Sequence, residues 1–407
     1  MKSLLMPLVA LVSATAVRTS AATYTWKGGA GRWDDSTCWT ADDGAADGYP
    51  HDDAVDTACF PADVEADVTI PDGTSVSNLF ILAENSRVRF VATAGCTNAM
   101  TYRALRTLDA TGGGTCGTNA VFALDRVKLC LKIDDEVSRL FGKSTADSAP
   151  VNVRKLDGPK DGSTIRLTNG AYFSLLTNLS TGKDTIAWEI SGGAELHAAT
   201  LHLGGGSVVT LDDGYLTVWN CFTDSFAFDG GTTIAFKGTH PRFVYGRIPS
   251  AYPFSDGWNA AVGKRVPFVG TLAFHLPGAP YAQAPFSNSG VGSESFPGGS
   301  FKLMDSGETD LSIPEDALKV VLADTAAARE AAKGEGLRYD LLDWSGLSWK
   351  NTRLSIRNAA NILVKGMRRV DAVETTVLDD WAQAGITAPQ RWGVRIRRPQ
   401  GVLFIVK

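Results

Sequence analysis

Apolar and polar residues alternate through Val64-Glu65-Ala66-Asp67-Val68-Thr69-Ile70, the two-residue period of a strand with one buried face. Pro71-Asp72-Gly73 follows as a turn, because proline presets φ and glycine accepts a positive one. Residues 75–82, 87–91 and 121–133 read as further strands. The rhythm is most regular over 163–237. There, strand-like runs at 164–167, 185–190, 194–203, 207–211, 215–219 and 232–236 are divided by Asn169-Gly170, Gly192-Gly193, Gly204-Gly205-Gly206, Asp212-Asp213-Gly214 and Asp229-Gly230-Gly231. Gly170, Gly192 and Gly214 lie 22 residues apart and Gly231 follows after 17, a loose period in the range of β-solenoid coils. A flat coil cannot bury its inner face alone, so neighbouring coils stack and share a core. The pattern predicts an all-β chain: a right-handed parallel β-helix (solenoid) with an N-terminal Trp-rich cap and a C-terminal β-hairpin region. Turns at this spacing also suit an antiparallel β-sandwich, the alternative fold.

The patterning divides the chain into a signal peptide (1–22), a Trp/Asp-rich cap (23–62), a solenoid (63–240) with an inserted loop at 95–117, an aromatic, Gly- and Pro-rich excursion (241–310) and a β-rich closing region (311–407). Residues 325–333 are Ala-rich and stopped by Gly334, which predicts a short helix, and 375–384 reads as a second. Residues 392–397 and 402–406, around Pro399-Gln400-Gly401, read as a closing hairpin.

The first residues are processed, not structural. Lys2 precedes an apolar run at 4–17, too short to span a bilayer, and Ser20-Ala21-Ala22 is a small-residue cleavage site, placing the cut after Ala22. Removal takes away Lys2 and Arg18, so the formal charge moves from −5 to −7. A mildly acidic chain argues against nucleic acid as a partner. With no second long apolar run, no membrane-spanning segment is expected, and the protein is expected to be secreted, extracellular or at the cell surface.

Six cysteines in an exported chain form an even set compatible with disulfides. Spacing pairs Cys38 with Cys59 and Cys96 with Cys116, each closing a loop of about 20 residues worth about 3 kcal/mol. Cys130 and Cys221 are then left for each other, and buried free thiols are the alternative reading. Eight aspartates crowd residues 34–56, and Asp52, Asp53 and Asp56 are weak Ca²⁺ candidates. The spacing matches no EF-hand loop, and Gly28-Gly29-Ala30-Gly31-Arg32-Trp33-Asp34 departs from the calcium-binding nonapeptide by one position. Loop and turn duty explains these aspartates better, and no other cofactor is expected. Asp212-Asp213 is a carboxylate pair by sequence, but neighbours on a strand point to opposite faces and a turn before Gly214 is the simpler account. The five histidines are scattered, and neither H-E-x-x-H nor G-x-S-x-G occurs.

Trp26, Trp33 and Trp39 fall within fourteen residues, followed by Pro50 and Phe60. Each indole brings a large apolar area and an N–H that needs a partner, which predicts a packed cap. Trp26, Gly28, Gly31, Trp33, Trp39, Pro50, Asp53, Ala54, Phe60 and Val68-Thr69-Ile70 together resemble the N-terminal module of bacterial secreted β-helical proteins, the autotransporter-passenger-like surface proteins. Tyr339-Asp340-Leu341-Leu342-Asp343-Trp344-Ser345-Gly346 and residues 392–406 resemble their terminal segments. Cys38 stands where that family usually carries asparagine, and no translocator-barrel pattern follows. The resemblance implies a β-helical surface protein and supplies no common catalytic residues. The expected function is therefore structural or adhesive at a cell surface, non-enzymatic, with extracellular glycans as candidate ligands. A polysaccharide-degrading β-helix enzyme, hydrolase or lyase, is the alternative, although the N-T-D, G-H-G and R-I-K motifs of polygalacturonases are absent.

Overall fold

The structure is a computed structural model. It describes residues 22–42, 48–50, 56–71, 74–75, 79–93, 99–102, 104–107, 118–131, 156–157, 162–180, 185–203, 205–218, 232–245, 271–288, 310–312, 318–322, 337–343, 355–357, 363–365, 374–377 and 391–397. Among them the chain is almost entirely strand, with one 3-10 turn at Ser36–Cys38. No helix among the described residues is long and apolar enough to cross a membrane.

Two long sheets dominate. The first has 11 strands, all paired in parallel, running from Gly29–Arg32 through Glu65–Ile70, Arg87–Ala92, Val121–Asp125, Thr164–Thr168, Ala187–Ser191, Val208–Asp212 and Thr233–Lys237 to Thr271–Leu276, Leu318–Leu322 and Leu363–Lys365. The second has 12 and includes Ala99–Tyr102, Lys128–Leu131, Tyr172–Ser180, Glu195–His202, Tyr215–Val218, Arg242–Tyr245 and Phe286–Asn288. From residue 121 to 288 the longer strands fall alternately in the first and second sheets, and each pairs in parallel with the next strand of its own sheet along the chain. A third sheet of five strands serves the N-terminal end, ordered Ala104–Thr107, Leu79–Leu82, Thr57–Phe60, Thr23–Trp26, Trp39–Ala41. Antiparallel pairing is confined, among the described residues, to the two ends: Thr23–Trp26 with Trp39–Ala41, and Arg391–Arg397 with both Leu337–Asp343 and Glu374–Val377. That excludes the antiparallel sandwich for the body of the chain.

Alternation puts the apolar half of each strand inward. In Glu65–Ile70 and Arg87–Ala92 every second residue is buried. These side chains join a single core running from Ala22 to Leu341. Aromatic rings form its spine: Trp33 lies 5.8 Å from Phe90, Phe90 5.2 Å from Phe122, Phe122 6.4 Å from Phe173, and Phe173 6.5 Å from Trp188. Corners between sheets are made by residues in the left-handed region. Asp63, Asn85 and Asn119 take φ near +55° on one side, and Arg126, Asn169 and Asp213 do so on the other. Asparagine and aspartate tolerate that conformation better than other residues with a side chain. They also stack: Asn85 donates to Asp63 Oδ1 at 3.1 Å across 22 residues, the length of one turn of chain.

Three segments differ from the pattern's expectation. Residues 95–117, read as an inserted loop, contain Ala99–Tyr102 and Ala104–Thr107, both parallel members of sheets. Residues 241–310, read as an excursion, carry both long sheets onward through Arg242–Tyr245, Thr271–Leu276 and Phe286–Asn288. Phe274 and Phe286 are fully buried there, so those rings belong to the core. Within the expected helix 375–384, Thr375, Thr376 and Val377 are strand, because β-branched side chains suit the edge offered by Arg391–Arg397. That last strand pairs with Leu337–Asp343 and Glu374–Val377. The other expected half of the hairpin, 402–406, and the helix at 325–333 lie outside the described residues.

Candidate functional site

The N-terminal tryptophans are core. Trp26, Trp33 and Trp39 are 1%, 0% and 3% exposed, and Trp39 meets the other two edge to face at 4.9 Å. Each indole N–H is satisfied by a backbone carbonyl: Trp26 by Gly29 at 3.4 Å, Trp33 by Pro50 at 3.3 Å, and Trp39 by Trp33 at 2.9 Å. Phe60 is fully buried beside them, 5.9 Å from both Trp39 and Phe90. This cluster closes a core and leaves no ring face for a ligand.

Cys38 and Cys59 are free thiols, against the expected disulfide. Cys59 lies on Thr57–Phe60 and Cys38 at the foot of Trp39–Ala41, and these strands flank Thr23–Trp26 on opposite sides. Two strand spacings, about 9.5 Å, separate them. A disulfide needs Cα atoms within about 7 Å. Cys96, Cys116 and Cys221 lie outside the described residues. Cys130 is placed only as a strand position, opposite Ser174 and Thr101. Of the calcium candidates, Asp52 and Asp53 are likewise outside, and Asp56 is buried with Oδ1 accepting the Ala22 N–H at 3.0 Å. Among the described residues no three His, Cys, Asp or Glu side chains converge as metal ligands do.

The outer faces of the two long sheets differ. On the first sheet charges cancel in place. Arg89 bridges Asp67 and Asp125, and Arg166 pairs with Glu189 at 2.6 Å. Asp125 is 5% exposed. Burial works against its charge, but hydrogen bonds from Asn169 and Arg89 outweigh that and hold its carboxyl below the usual range. Such a ladder is architecture, since these charges already pair with one another.

The second sheet presents an aromatic and polar row. Parallel register aligns Lys128, Tyr172, Glu195, Tyr215 and Arg242 on five successive strands. Leu129, Phe173, Leu196, Leu216 and Phe243, one residue on, are buried, so the row points outward. His197, two residues beyond Glu195 and on the same face, leans back between the tyrosines, 4.9 Å from Tyr172 and 5.5 Å from Tyr215. Its Nε2–H donates to Glu195 Oε2 at 2.8 Å. The Arg242 guanidinium sits 5.2 Å from the Tyr215 ring centre, a cation–π distance. The His197 hydrogen bond holds the Glu195 carboxyl below the usual carboxylate range against the opposing effect of partial burial, helped by the positive charges of Lys128 and Arg242. Beside His197 in register is Thr217, whose buried hydroxyl has no hydrogen-bond partner among the described residues.

The row therefore offers stacked ring edges, one ionised carboxylate and two cations on a rigid, hydrogen-bonded strand scaffold. It can hold a polar ligand that has apolar faces. It contains a single carboxylate, whereas glycoside hydrolysis uses two at a set separation. Sequence reasoning missed it because turns of unequal length hide the alignment. Tyr172 and Glu195 each stand second after a turn glycine, Gly170 and Gly193, but Tyr215 stands first after Gly214. Asp212 and Asp213 separate as expected. Asp212 ends a strand, while Asp213 turns at φ 53° and accepts the backbone N–H groups of Thr239 and His240 at 2.7 and 2.6 Å.

No family model, no curated protein and no solved structure matches this chain.

Proposed function

We propose that this protein is an exported, non-enzymatic structural or adhesive surface protein built as a right-handed β-helix, and that it binds glycans along the outer row from Lys128 to Arg242. The strand alternation between two parallel sheets supports the coil, since parallel crossovers in one sheet are right-handed in about 98% of cases. The leader-like N-terminus supports export, and the Trp-rich module supports kinship with autotransporter-passenger-like surface proteins.

The observation that carries the binding reading is the Tyr172–His197–Tyr215–Arg242 stack with Glu195 hydrogen-bonded to His197. Sugars present apolar C–H faces to aromatic rings and hydroxyls to carboxylate, imidazole and guanidinium groups. Lys128 and Arg242 outnumber Glu195, so the row is locally cationic on a chain of net charge −5. An acidic glycan, carrying uronate or sulfate, complements it.

The test is a glycan array with the full chain, run beside an assay for new reducing ends or unsaturated products. Binding of acidic glycans without turnover, weakened at least tenfold by Tyr215→Ala and by Arg242→Ala, is the expected result. Turnover would replace this reading with the degrading enzyme. Binding that survives both substitutions would move the site elsewhere.

A further inference from the structure

The N-terminal strand carries a detail bearing on how the chain is processed. Ala22 is 2% exposed and belongs to the continuous core. Its carbonyl accepts the Thr57 N–H at 2.8 Å, and its own N–H donates to Asp56 Oδ1 at 3.0 Å. Asp56 is itself only 2% exposed. Thr23, one residue on, directs its N–H at Asp42 Oδ1 at 2.9 Å, and that contact is on the surface.

Cutting after Ala22, as the Ser20-Ala21-Ala22 pattern favours, would discard a core residue. It would also strip the Thr57 N–H and the Asp56 carboxylate of these partners. Cutting one bond earlier keeps both contacts. It changes the Ala22 nitrogen from a neutral amide to a cation beside a buried carboxylate, and a charge-assisted hydrogen bond is stronger than a neutral one. Thr19-Ser20-Ala21 also satisfies the requirement for small residues before the cut. The surface contact of Thr23 with Asp42 is a weaker lure, because exposed ion pairs contribute little.

We infer that the mature chain begins at Ala22, whose α-ammonium pairs with the buried Asp56 carboxylate. This rests on the export reading above. The step is hydrolysis by the exporting cell's leader peptidase. Water adds across the Ala21–Ala22 amide, the C–N bond breaks, Ala21 leaves with a carboxylate, and the freed amine of Ala22 takes up a proton. The leader bond and the core are thereby coupled, because the same cut that releases the chain creates the charge that anchors its first strand.

The protein is expressed with its own leader in a secreting bacterial host, and the exported form is read by intact mass and N-terminal sequencing. A chain starting at Ala22 is expected. A chain starting at Thr23, or at any other cleaved position, overturns the inference while leaving export standing. An uncut chain retained in the cells overturns the export reading and this inference with it. A second measurement isolates the charge. The chain starting at Ala22 is compared in thermal melting with one carrying Ala21 ahead of it, which makes the nitrogen an amide again. The extended form is expected to melt several degrees lower, and equal melting temperatures would remove the ion pair.

Discussion

The indole of Trp188 lies 6.5 Å from the ring of Phe173 with the planes 28° apart, and its buried N–H has no hydrogen-bond partner among the described residues. The pair ends the aromatic spine that begins at Trp33. Leaving such a donor unmade costs about 1–3 kcal/mol. Trp188→Phe removes the donor and keeps most of the ring, so it is expected to cost less than about 1.5 kcal/mol. Trp188→Ala is expected to cost about 3–5 kcal/mol. Urea unfolding of both variants checks the contrast, and equal losses would show that the N–H is satisfied in solution.

Trp33 is the opposite case: fully buried, ringed by Trp39 and Phe90, with its N–H on the Pro50 carbonyl. Trp33→Ala is expected to cost about 3–5 kcal/mol. Trp33→Phe should recover only part, because it leaves a buried carbonyl without its donor. A loss below about 1 kcal/mol for Trp33→Ala, the scale of surface substitutions, would mean that the cap is not core.

Two turn glycines separate steric from conformational demand. Gly170 takes φ +75° with open space where a Cβ would go. Gly214 has an ordinary φ, but a Cβ there would run into the backbone carbonyl of Ile190 on the preceding turn of chain. Gly170→Ala is expected to cost about 1 kcal/mol, the penalty of a left-handed alanine. Gly214→Ala is expected to cost about 3 kcal/mol, because strand backbone must move. Thermal denaturation of the two variants measures the order, and the reverse order would contradict the stacking of successive turns.

Burial pushes the Tyr339 phenol up to about 12, and burial, with Tyr339 nearby, raises Tyr281 as well. Their rings meet at 5.8 Å, and their hydroxyls donate to the Pro277 and His275 carbonyls. A raised phenol value means that the folded chain holds its proton longer than the unfolded chain. The stability from these groups is therefore complete below the ordinary phenol value of about 10 and is lost as pH rises from there through about 12. Denaturation midpoints are expected to fall over that window, and Tyr339→Phe should flatten the fall while lowering stability at neutral pH. A midpoint fall unchanged in Tyr339→Phe would assign it to other groups.

With a whole strand between them, Cys38 and Cys59 are expected to alkylate separately in denaturant without reductant. Peptide mapping that finds the two joined would overturn the strand order β-sheet pairing gives to the cap.

Much of the fold was legible because alternation and turn residues are local signals. The alternating burial of Glu65–Ile70 follows its sequence residue by residue, and Asn169 and Asp213 take the left-handed corners that their side chains tolerate. Trp26, Trp33 and Trp39 could be assigned to a core from size alone. Register was not legible. Tyr172, Glu195, Tyr215 and Arg242 meet only because parallel pairing absorbs turns of unequal length, so no fixed period in the sequence aligns them. Cys38 and Cys59 look like partners along the chain, and only the sheet order inserts Thr23–Trp26 between them. Residues 375–377 become strand because Arg391–Arg397 offers an edge, a contact between distant segments that outweighs local helix preference. Alternation shows which residues of regular strands such as Glu65–Ile70 face in, and turn residues show their corners, since both depend on neighbours a few positions away. Tertiary structure alone decided which outward residues stand side by side, because that depends on which distant strands pair and in what register.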